Sequence, residues 1–196
     1  MKIYGDMVSG NCLKVKYVCD LLSIAYTWID VDVVSGGARA AETISKNPVG
    51  QVPFIELDDG RVLSQSNAIM RYLAEGSYLI PVDAYERALM DQWMFWEQYS
   101  HETAIAVARF QVKLVGKLVS ELDPALVKKG NAALDLMEEH LSKNSWFVGD
   151  RLSLADIALF AYTQFAEEGG FSLDGFSNIQ NWLGCVKSKL NKVSSG

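Results

Sequence analysis

Residues able to hold an anion gather at the start of the first predicted helix. The segment "SGNC" places Ser9, Asn11 and Cys12 where an apolar helical pattern begins, just after the strand-like run "MKIY". Serine and asparagine are common helix caps. A helix N-terminus also attracts anions, because its first N–H groups lack partners and the helix dipole is positive there. The segment therefore allows two interpretations, a simple cap and a site for a negatively charged group.

A second helix start offers similar chemistry. Gln65 and Ser66 stand directly before the helical pattern "NAIMRYL". The Ser66 hydroxyl and the free backbone N–H groups of the first turn suit an anion such as a carboxylate. An ordinary cap is the structural alternative, and Ser66 could serve as a cap and as a ligand at the same time.

Composition excludes several classes of function. The chain has 196 residues, of which 49% are hydrophobic and 21% charged, as in a soluble globular protein of one or two domains. The formal net charge of −6 disfavours binding to nucleic acid, which needs clustered lysine and arginine, and to an anionic membrane surface. We expect neither a signal peptide nor a transmembrane span, since no apolar run approaches about 18 residues.

The cysteines and histidines form no metal-binding pattern. Cys12, Cys19 and Cys185 lack metal-ligand spacing, and His101 and His140 belong to no zinc motif. We therefore expect no metal site. The odd number of cysteines favours reduced thiols, which indicates a cytoplasmic protein.

The first part of the chain predicts an α/β order. A strand at "MKIYG" precedes a helix over about residues 11–23, whose residues Cys12, Val15, Cys19 and Leu22 share one apolar face. The β-rich run "YTWIDVDV" must lie parallel to the first strand, because a helix crosses between them. A loop and a short helix follow in "SGGARAAETISKN".

A hairpin and a third helix complete this α/β part. Asp59-Gly60 separates two β-rich runs, which predicts antiparallel strands joined by a type I′ turn. The following helix ends at Gly76, and its predicted apolar face carries Ala68, Ile69, Tyr72 and Leu73. The order βαβαββα indicates one domain over residues 1–76, with a linker over 77–83.

The remainder, residues 84–196, predicts an all-helical domain. The helices are expected from Tyr85 to about Lys117, from Pro124 to about Lys143 with Asp123 as cap, from "LSLADIAL" and from "FSNIQNWLGCVKSKL". Leu154, Ala158, Ala161 and Phe165 form an apolar stripe on the third of these, and "VSSG" is expected to fray. Ser153 and Asp156 resemble a capping box, so Asp156 is interpreted as structural.

Several segments together resemble the cytosolic glutathione S-transferase family over nearly the whole chain. They are "SGNCLKV", "NPVGQVPFIE", "LSQSNAIMRYL", "LSLADIAL" and, as in bacterial members, "FWEQYSHETAIAVARF". The resemblance implies a thioredoxin-like N-terminal domain with a mixed four-stranded sheet, followed by an all-α domain that forms part of the electrophile site and the dimer interface. It also implies a homodimer that uses glutathione as co-substrate and conjugates small hydrophobic electrophiles in detoxification.

The resemblance also implies where the glutathione thiol is activated. Ser9 stands where glutaredoxin-like relatives carry the attacking cysteine, and we expect its hydroxyl to donate to the bound thiolate. Lowering a thiol pKa from about 8.5 to about 6.5 takes roughly 2.7 kcal/mol. Asn11 is the alternative donor, and the two roles are compatible. Cys12 could form a mixed disulfide as in thiol-transferases, but its place on the apolar face favours a buried core thiol.

The remaining contacts with glutathione are implied in the same way. Pro53 matches the cis-proline of thioredoxin-like folds, so that the backbone of Val52 would pair with the cysteinyl backbone of glutathione. Gln65 and Ser66 would bind the γ-glutamyl end. Gln51 would bind the glycyl carboxylate, with Arg39 and Lys46 as weaker candidates. Tyr99 and His101 are candidate pocket-wall residues, but an aromatic core is the preferred interpretation for most of this stretch.

The expected function is activation of glutathione for attack on hydrophobic electrophiles, together with reduction of organic hydroperoxides at the same site. Two alternatives stay open. One is a non-catalytic glutathione-S-transferase-like binding protein, and the other is a thiol-transferase that depends on Cys12.

Overall fold

The computed structural model describes residues 1–193 and shows two compact units, Met1–Ser77 and Tyr78–Lys192. The expected fraying of "VSSG" falls on residues 194–196, apart from Val193, and these three lie outside the described residues. Part of the predicted linker packs within the second unit, where Leu79 is buried and its carbonyl accepts a hydrogen bond from the Leu154 amide at 3.1 Å.

The N-terminal unit, Met1–Ser77, has the predicted βαβαββα order. Its elements are β1 (Lys2–Gly5), α1 (Gly10–Leu21), β2 (Thr27–Asp30), α2 (Ala41–Lys46), β3 (Phe54–Glu56), β4 (Val62–Ser64) and α3 (Ser66–Leu73). The sheet has the strand order β2-β1-β3-β4, with β1 parallel to β2 and antiparallel to β3, and β3 antiparallel to β4. The expected mixed, thioredoxin-like sheet is confirmed.

The predicted type I′ turn between β3 and β4 is wrong. The Gly60 amide donates to the Leu57 carbonyl at 2.9 Å, so the central turn residues are Asp58 and Asp59. Neither Asp58 nor Asp59 has a positive φ, which type I′ needs at both central residues. Gly60, the residue after them, has φ +84°. The connection is a three-residue loop that ends in a left-handed glycine, and it still gives the predicted antiparallel pairing.

The core of the N-terminal unit lies between the sheet and the helices α1 and α3. Ile3, Val15, Cys19, Ile55 and Ile69 are wholly buried together. Cys12 is wholly buried as well, so the predicted face of α1 is confirmed except for Leu22, which follows the helix and is only half-buried. Burial of these side chains is the main driving force for the packing of the helices on the sheet.

The predicted face of α3 is only partly correct. Ile69 and Leu73 pack against the core, but Tyr72 is 49% exposed and Ala68 also faces solvent. Met70 and Ala74 are wholly buried in their place. The buried face is therefore rotated by about one residue relative to the prediction.

The second unit, Tyr78–Lys192, is helical. Its elements are α4 (Ala84–Trp96), α5 (Glu102–Arg109), α6 (Pro124–Leu141), α7 (Leu154–Thr163) and α8 (Ser177–Val193). A π-helical turn over Glu97–His101 joins α4 to α5, and another over Phe110–Leu114 follows α5. The long helical region expected from Tyr85 to about Lys117 is thus one continuous helical stretch with two wide turns. No strand occurs in this unit within the described residues, as predicted.

Two helix caps of the second unit are as predicted, but the apolar stripe of α7 is not. Asp123 caps α6 and accepts a hydrogen bond from the Ala125 amide at 2.8 Å. Ser153 and Asp156 form the expected capping box at α7. All residues of α7 from Leu154 to Thr163 are buried, so this helix is enclosed on every side instead of presenting one stripe.

Candidate active site

The sheet topology brings the predicted site segments to one edge. Phe54 at the start of β3 pairs with Tyr4 near the end of β1 and with Ser64 at the end of β4. The loop after β1, the segment before β3 and the start of α3 therefore leave the sheet at the same edge. These segments carry Ser9, Asn11, Val52, Gln65 and Ser66.

Ser9 is the N-cap of α1 and is half-buried. It has an extended backbone conformation, and its Oγ accepts a hydrogen bond from the Cys12 amide at 3.4 Å. This capping bond uses a lone pair of Oγ, and a serine hydroxyl also carries one donor hydrogen. Ser9 can therefore cap the helix and donate to a bound anion, so the two interpretations of "SGNC" are compatible.

Asn11 connects the two helix starts that could hold an anion. Its Oδ1 accepts hydrogen bonds from the Ser66 Oγ at 3.0 Å and from the Lys14 Nζ at 2.9 Å. The contact between Asn11 and Ser66 spans 55 residues of sequence. The structure thus brings the predicted sulfur site and the predicted carboxylate site together.

Lys14 is a member of this cluster that the sequence analysis missed. Its side chain is 0% exposed although lysine is rarely buried without a partner. The available sequence signal was the spacing of Asn11 and Lys14, since side chains three residues apart on a helix can interact.

The start of α3 has the features of an anion site. Gln65 precedes the helix with φ +73° and ψ 110°, an unusual backbone conformation for a residue other than glycine. Such conformations cost about 1–3 kcal/mol and often mark functional sites. The Gln65 side chain is exposed and does not cap α3. Gln65 therefore supplies no side-chain cap to α3, and a helix start is a common site for an anion.

The segment before β3 is held by a buried asparagine. The bond between Val52 and Pro53 is cis, as predicted. Asn47 is 3% exposed, and its Nδ2 donates to the Gln51 carbonyl at 2.7 Å. Within residues 1–193, the amide and carbonyl of Val52 make no hydrogen bond, so both are available to an extended ligand. Asn47 is the first residue of the segment "NPVGQVPFIE", but no role was predicted for it from the sequence.

The two basic candidates for the glycyl carboxylate differ in their surroundings. Arg39 is exposed and lies beside Gly50, where an added Cβ would be 3.7 Å from the Arg39 Cγ. Lys46 donates to the Glu56 carboxylate, which also accepts a bond from the Tyr4 hydroxyl at 2.8 Å. Mainly because of Lys46, the pKa of Glu56 is lowered to about 2. Lys46 is therefore engaged, and Arg39 is the better candidate.

Comparison with known proteins decides the family. Residues 8–75 match the family model "Glutathione S-transferase, N-terminal domain", and residues 110–186 match "Glutathione S-transferase, C-terminal domain". The chain is 30% identical to glutathione S-transferase 3 of Zea mays over 165 residues, covering 80% of this chain and 73% of that relative. The chain belongs to the glutathione S-transferase family. The predicted class of enzyme, a glutathione transferase, is confirmed.

Solved bacterial structures agree with this assignment. A glutathione S-transferase from Pseudomonas fluorescens Pf-5 is 45% identical, with a TM-score of 0.92 over 95% of this chain and 94% of that one. A glutathione S-transferase from Xanthobacter autotrophicus Py2 is 39% identical, with a TM-score of 0.88 over 94% of this chain and 91% of that one.

Cys12 of this glutathione S-transferase is a buried core thiol, as predicted. It is 0% exposed, and its Sγ accepts a hydrogen bond from the Asp6 amide at 3.4 Å. Burial raises the pKa of the Cys12 thiol to about 11, and the Asp6 amide and the Ser9 side chain offset only part of this effect. Because the thiolate is the reactive form, Cys12 is poorly suited to form a mixed disulfide with glutathione.

His101 is a core residue, in agreement with the core interpretation that the sequence analysis preferred for this aromatic stretch. It is 0% exposed, and its Nε2 lies 2.9 Å from the Thr163 Oγ1 within the helical unit. Tyr99 is 81% exposed, and its role at a pocket wall stays a prediction.

Among residues 1–193, no three or more His, Cys, Asp or Glu side chains are close enough together to hold a metal ion. None of the helices in the same range is both long and apolar enough to cross a membrane.

Proposed function

We propose that this glutathione S-transferase binds glutathione along the sheet edge of the N-terminal unit and ionises its thiol beside Ser9. The observation that carries the proposal is the hydrogen bond from Ser66 to Asn11 at 3.0 Å. It joins two helix starts, and glutathione has an anionic carboxylate at one end and an ionisable thiol in the middle. Two linked anion sites suit such a ligand.

The predicted contacts fit an extended peptide lying along this edge. The γ-glutamyl carboxylate would bind the first amides of α3 and would take the Ser66 hydroxyl hydrogen in place of Asn11 Oδ1, with Gln65 on its amine. The cysteinyl backbone would pair with the available amide and carbonyl of Val52. The glycyl carboxylate would then lie near Gln51 and Arg39, which is the exposed cation beside Gly50.

Ser9 supplies the stabilisation that thiol ionisation needs. A hydrogen bond to a charged acceptor contributes about 1.5–3 kcal/mol. A helix N-terminus adds about 0.3–1 kcal/mol. Together they approach the roughly 2.7 kcal/mol that a pKa of about 6.5 would require. The thiolate then attacks the electrophilic carbon, forms the carbon–sulfur bond and displaces a leaving group, which takes the bonding electron pair.

The same thiolate can reduce an organic hydroperoxide. It attacks the terminal peroxide oxygen and the O–O bond breaks, so that glutathione becomes a sulfenic acid and the released alkoxide takes a proton from water to give the alcohol. A second glutathione condenses with that sulfenic acid to give oxidised glutathione and water. This reaction uses the same sulfur site and needs a second glutathione as its only further reactant.

We further propose a cytoplasmic homodimer that conjugates small hydrophobic electrophiles in detoxification. Cys12, Cys19 and Cys185 form no disulfide, which suits a reducing compartment. On α4 and the turn after it, Phe95 is 75% exposed and Tyr99 is 81% exposed, four residues apart. Large aromatic side chains exposed together are typical of protein interfaces.

Domain limits of 1–76 and 84–196, with a linker over 77–83, belong to the same proposal.

Turnover by the purified protein tests the proposed function. With glutathione and a generic aryl halide, we expect thioether formation that saturates with glutathione, and calorimetry should show glutathione binding. Binding without turnover would favour the non-catalytic alternative. Absence of binding by well-folded protein would contradict the proposal as a whole.

Replacing Cys12 tests the alternative of a thiol-transferase. In the Cys12→Ala variant, we expect conjugation within about twofold of the wild type, because a buried thiol with a raised pKa does not react. Cys19→Ala is the matched control, since Cys19 is also 0% exposed and burial also raises its pKa, to about 12. Loss of conjugation and of disulfide reduction in Cys12→Ala alone would support the alternative.

A further inference from the structure

Asp6 uses all of its polar groups to organise the loop that carries Ser9. It follows β1 directly and is half-buried. Its backbone amide donates to the Cys12 Sγ at 3.4 Å, and its carbonyl accepts from the Ser9 amide at 3.0 Å. These two bonds fix the backbone on both sides of the capping serine.

The Asp6 carboxylate also joins this loop to the segment after β2. Oδ1 accepts from the Val8 amide, and Oδ2 accepts from the Val33 amide, both at 3.0 Å. Val33 lies 27 residues away in sequence. One side chain thus sets the distance between two loops that leave the sheet at the edge of the candidate site.

We propose that Asp6 is a positioning residue that holds Ser9 and the start of α1 where they meet the glutathione sulfur. This inference rests on the proposed function and adds a residue to it. Asp6 acts through Ser9, since its carbonyl holds the Ser9 amide and its carboxylate holds the neighbouring Val8 amide. It is not expected to touch the reacting atoms.

The direction in which the bound thiol pKa changes when Asp6 is neutralised distinguishes positioning from a simple charge effect. A negative charge near a thiol disfavours the thiolate and raises the thiol pKa. Burial is the main cause of the raised pKa of Cys12, and the charge of Asp6 adds to it. If Asp6 acted only through its charge, neutralising it would therefore lower the pKa of a bound glutathione thiol. If Asp6 acts by positioning, the same change would raise that pKa.

The test measures conjugation and the bound thiol pKa in Asp6→Asn. An asparagine has one carbonyl oxygen, so the amide of Val8 or of Val33 loses its acceptor. Misplacement of a catalytic group by about 1 Å can cost about 100-fold in rate. We expect kcat/KM to fall about 10-fold, and the bound thiol pKa, read from thiolate absorbance against pH, to rise by about one unit.

Asp32→Asn is the matched control. Asp32 lies in the segment after β2 and accepts bonds from the Ser35 amide at 2.9 Å and from the Ser35 hydroxyl at 2.6 Å. It binds its own turn and not the Ser9 loop, so its replacement should leave kcat/KM and the thiol pKa unchanged. A pKa that falls or stays constant in Asp6→Asn would overturn the proposal.

A double-mutant cycle tests whether Asp6 acts through Ser9. In a Ser9→Ala background, Asp6→Asn should cause little further loss, because residues acting through one another are not additive. If the fold-loss of kcat/KM in the double variant equals the product of the two single fold-losses, the proposal is overturned. If Asp6→Asn does not fold, Asp6→Glu keeps the charge while displacing both oxygens, and the same rise in thiol pKa is expected.

Hydrogen exchange separates this inference from the proposed function. If the wild type forms no conjugate, the proposed function fails. The link that the Asp6 carboxylate makes between the two loops is then tested by amide hydrogen exchange in peptides containing Val8 and Val33. Faster exchange of these amides in Asp6→Asn than in Asp32→Asn would support the link between the loops, and equal exchange would overturn it.

Discussion

Replacement of Ser9 by alanine is expected to lower kcat/KM for conjugation by about 10- to 100-fold, because a hydrogen bond to a charged acceptor contributes about 1.5–3 kcal/mol. The bound thiol pKa should rise by about one to two units. Less thiolate is then present at neutral pH. The difference from the wild type should shrink above about pH 9, where an ordinary thiol ionises without help. The pH dependence of kcat/KM measures both effects.

Variants at neighbouring positions separate catalysis from capping. Ser9→Ala also removes a helix cap, which costs about 0.5–2 kcal/mol of folding stability, so the melting temperature must be measured beside the rate. Ser9→Thr keeps a hydroxyl and should retain most activity. Ser35→Ala removes a surface hydroxyl and should leave kcat/KM and its pH dependence unchanged. If Ser9→Ala kept the wild-type pH profile and Asn11→Ala lost it, Asn11 would be the sulfur donor.

Local patterns predicted much of the fold, since the interactions involved span only a few residues. The caps at Ser9 and Asp123 and the capping box at Ser153 and Asp156 depend on neighbours two or three residues away. The hairpin was predicted for the same reason. Its turn type was wrong because the dipeptide Asp59-Gly60 does not reveal the length of the loop.

Features set by distant contacts could not be predicted. The buried face of α3 depends on how the helix packs against the sheet, so helical periodicity alone misplaced Tyr72. His101 is buried beside Thr163, 62 residues away. The bond between Asn11 and Ser66 spans 55 residues, and the backbone conformation of Gln65 leaves no mark in the sequence. The resemblance named most of the site residues, but the connection between them came from the structure.

Among the substitutions considered in this protein, replacement of Asp156 by alanine is expected to lower the free energy of unfolding most. Asp156 is wholly buried, and its Oδ1 accepts from the Phe147 amide at 3.1 Å and from the Trp182 Nε1 at 3.0 Å. Its Oδ2 accepts from the amide and the hydroxyl of Ser153, both at 2.9 Å. Each buried donor left without an acceptor costs about 1–3 kcal/mol. We therefore expect the free energy of unfolding to fall by about 4 kcal/mol or more, a large part of the about 5–15 kcal/mol typical of a folded protein.

Urea unfolding of Asp156→Ala and Asp123→Ala provides the measurement and its control. Asp123 is also an aspartate cap, but it is exposed, and its side chain accepts a hydrogen bond from the Ala125 amide. Its loss should cost about 1 kcal/mol. Asp156→Asn should also be strongly destabilised, because its NH2 group replaces an oxygen that faces buried donors. Equal losses in Asp156→Ala and Asp123→Ala would show that Asp156 acts only as a cap. A much greater loss would show that this carboxylate also joins α7 to α8 and to the segment before it, through Trp182 and Phe147.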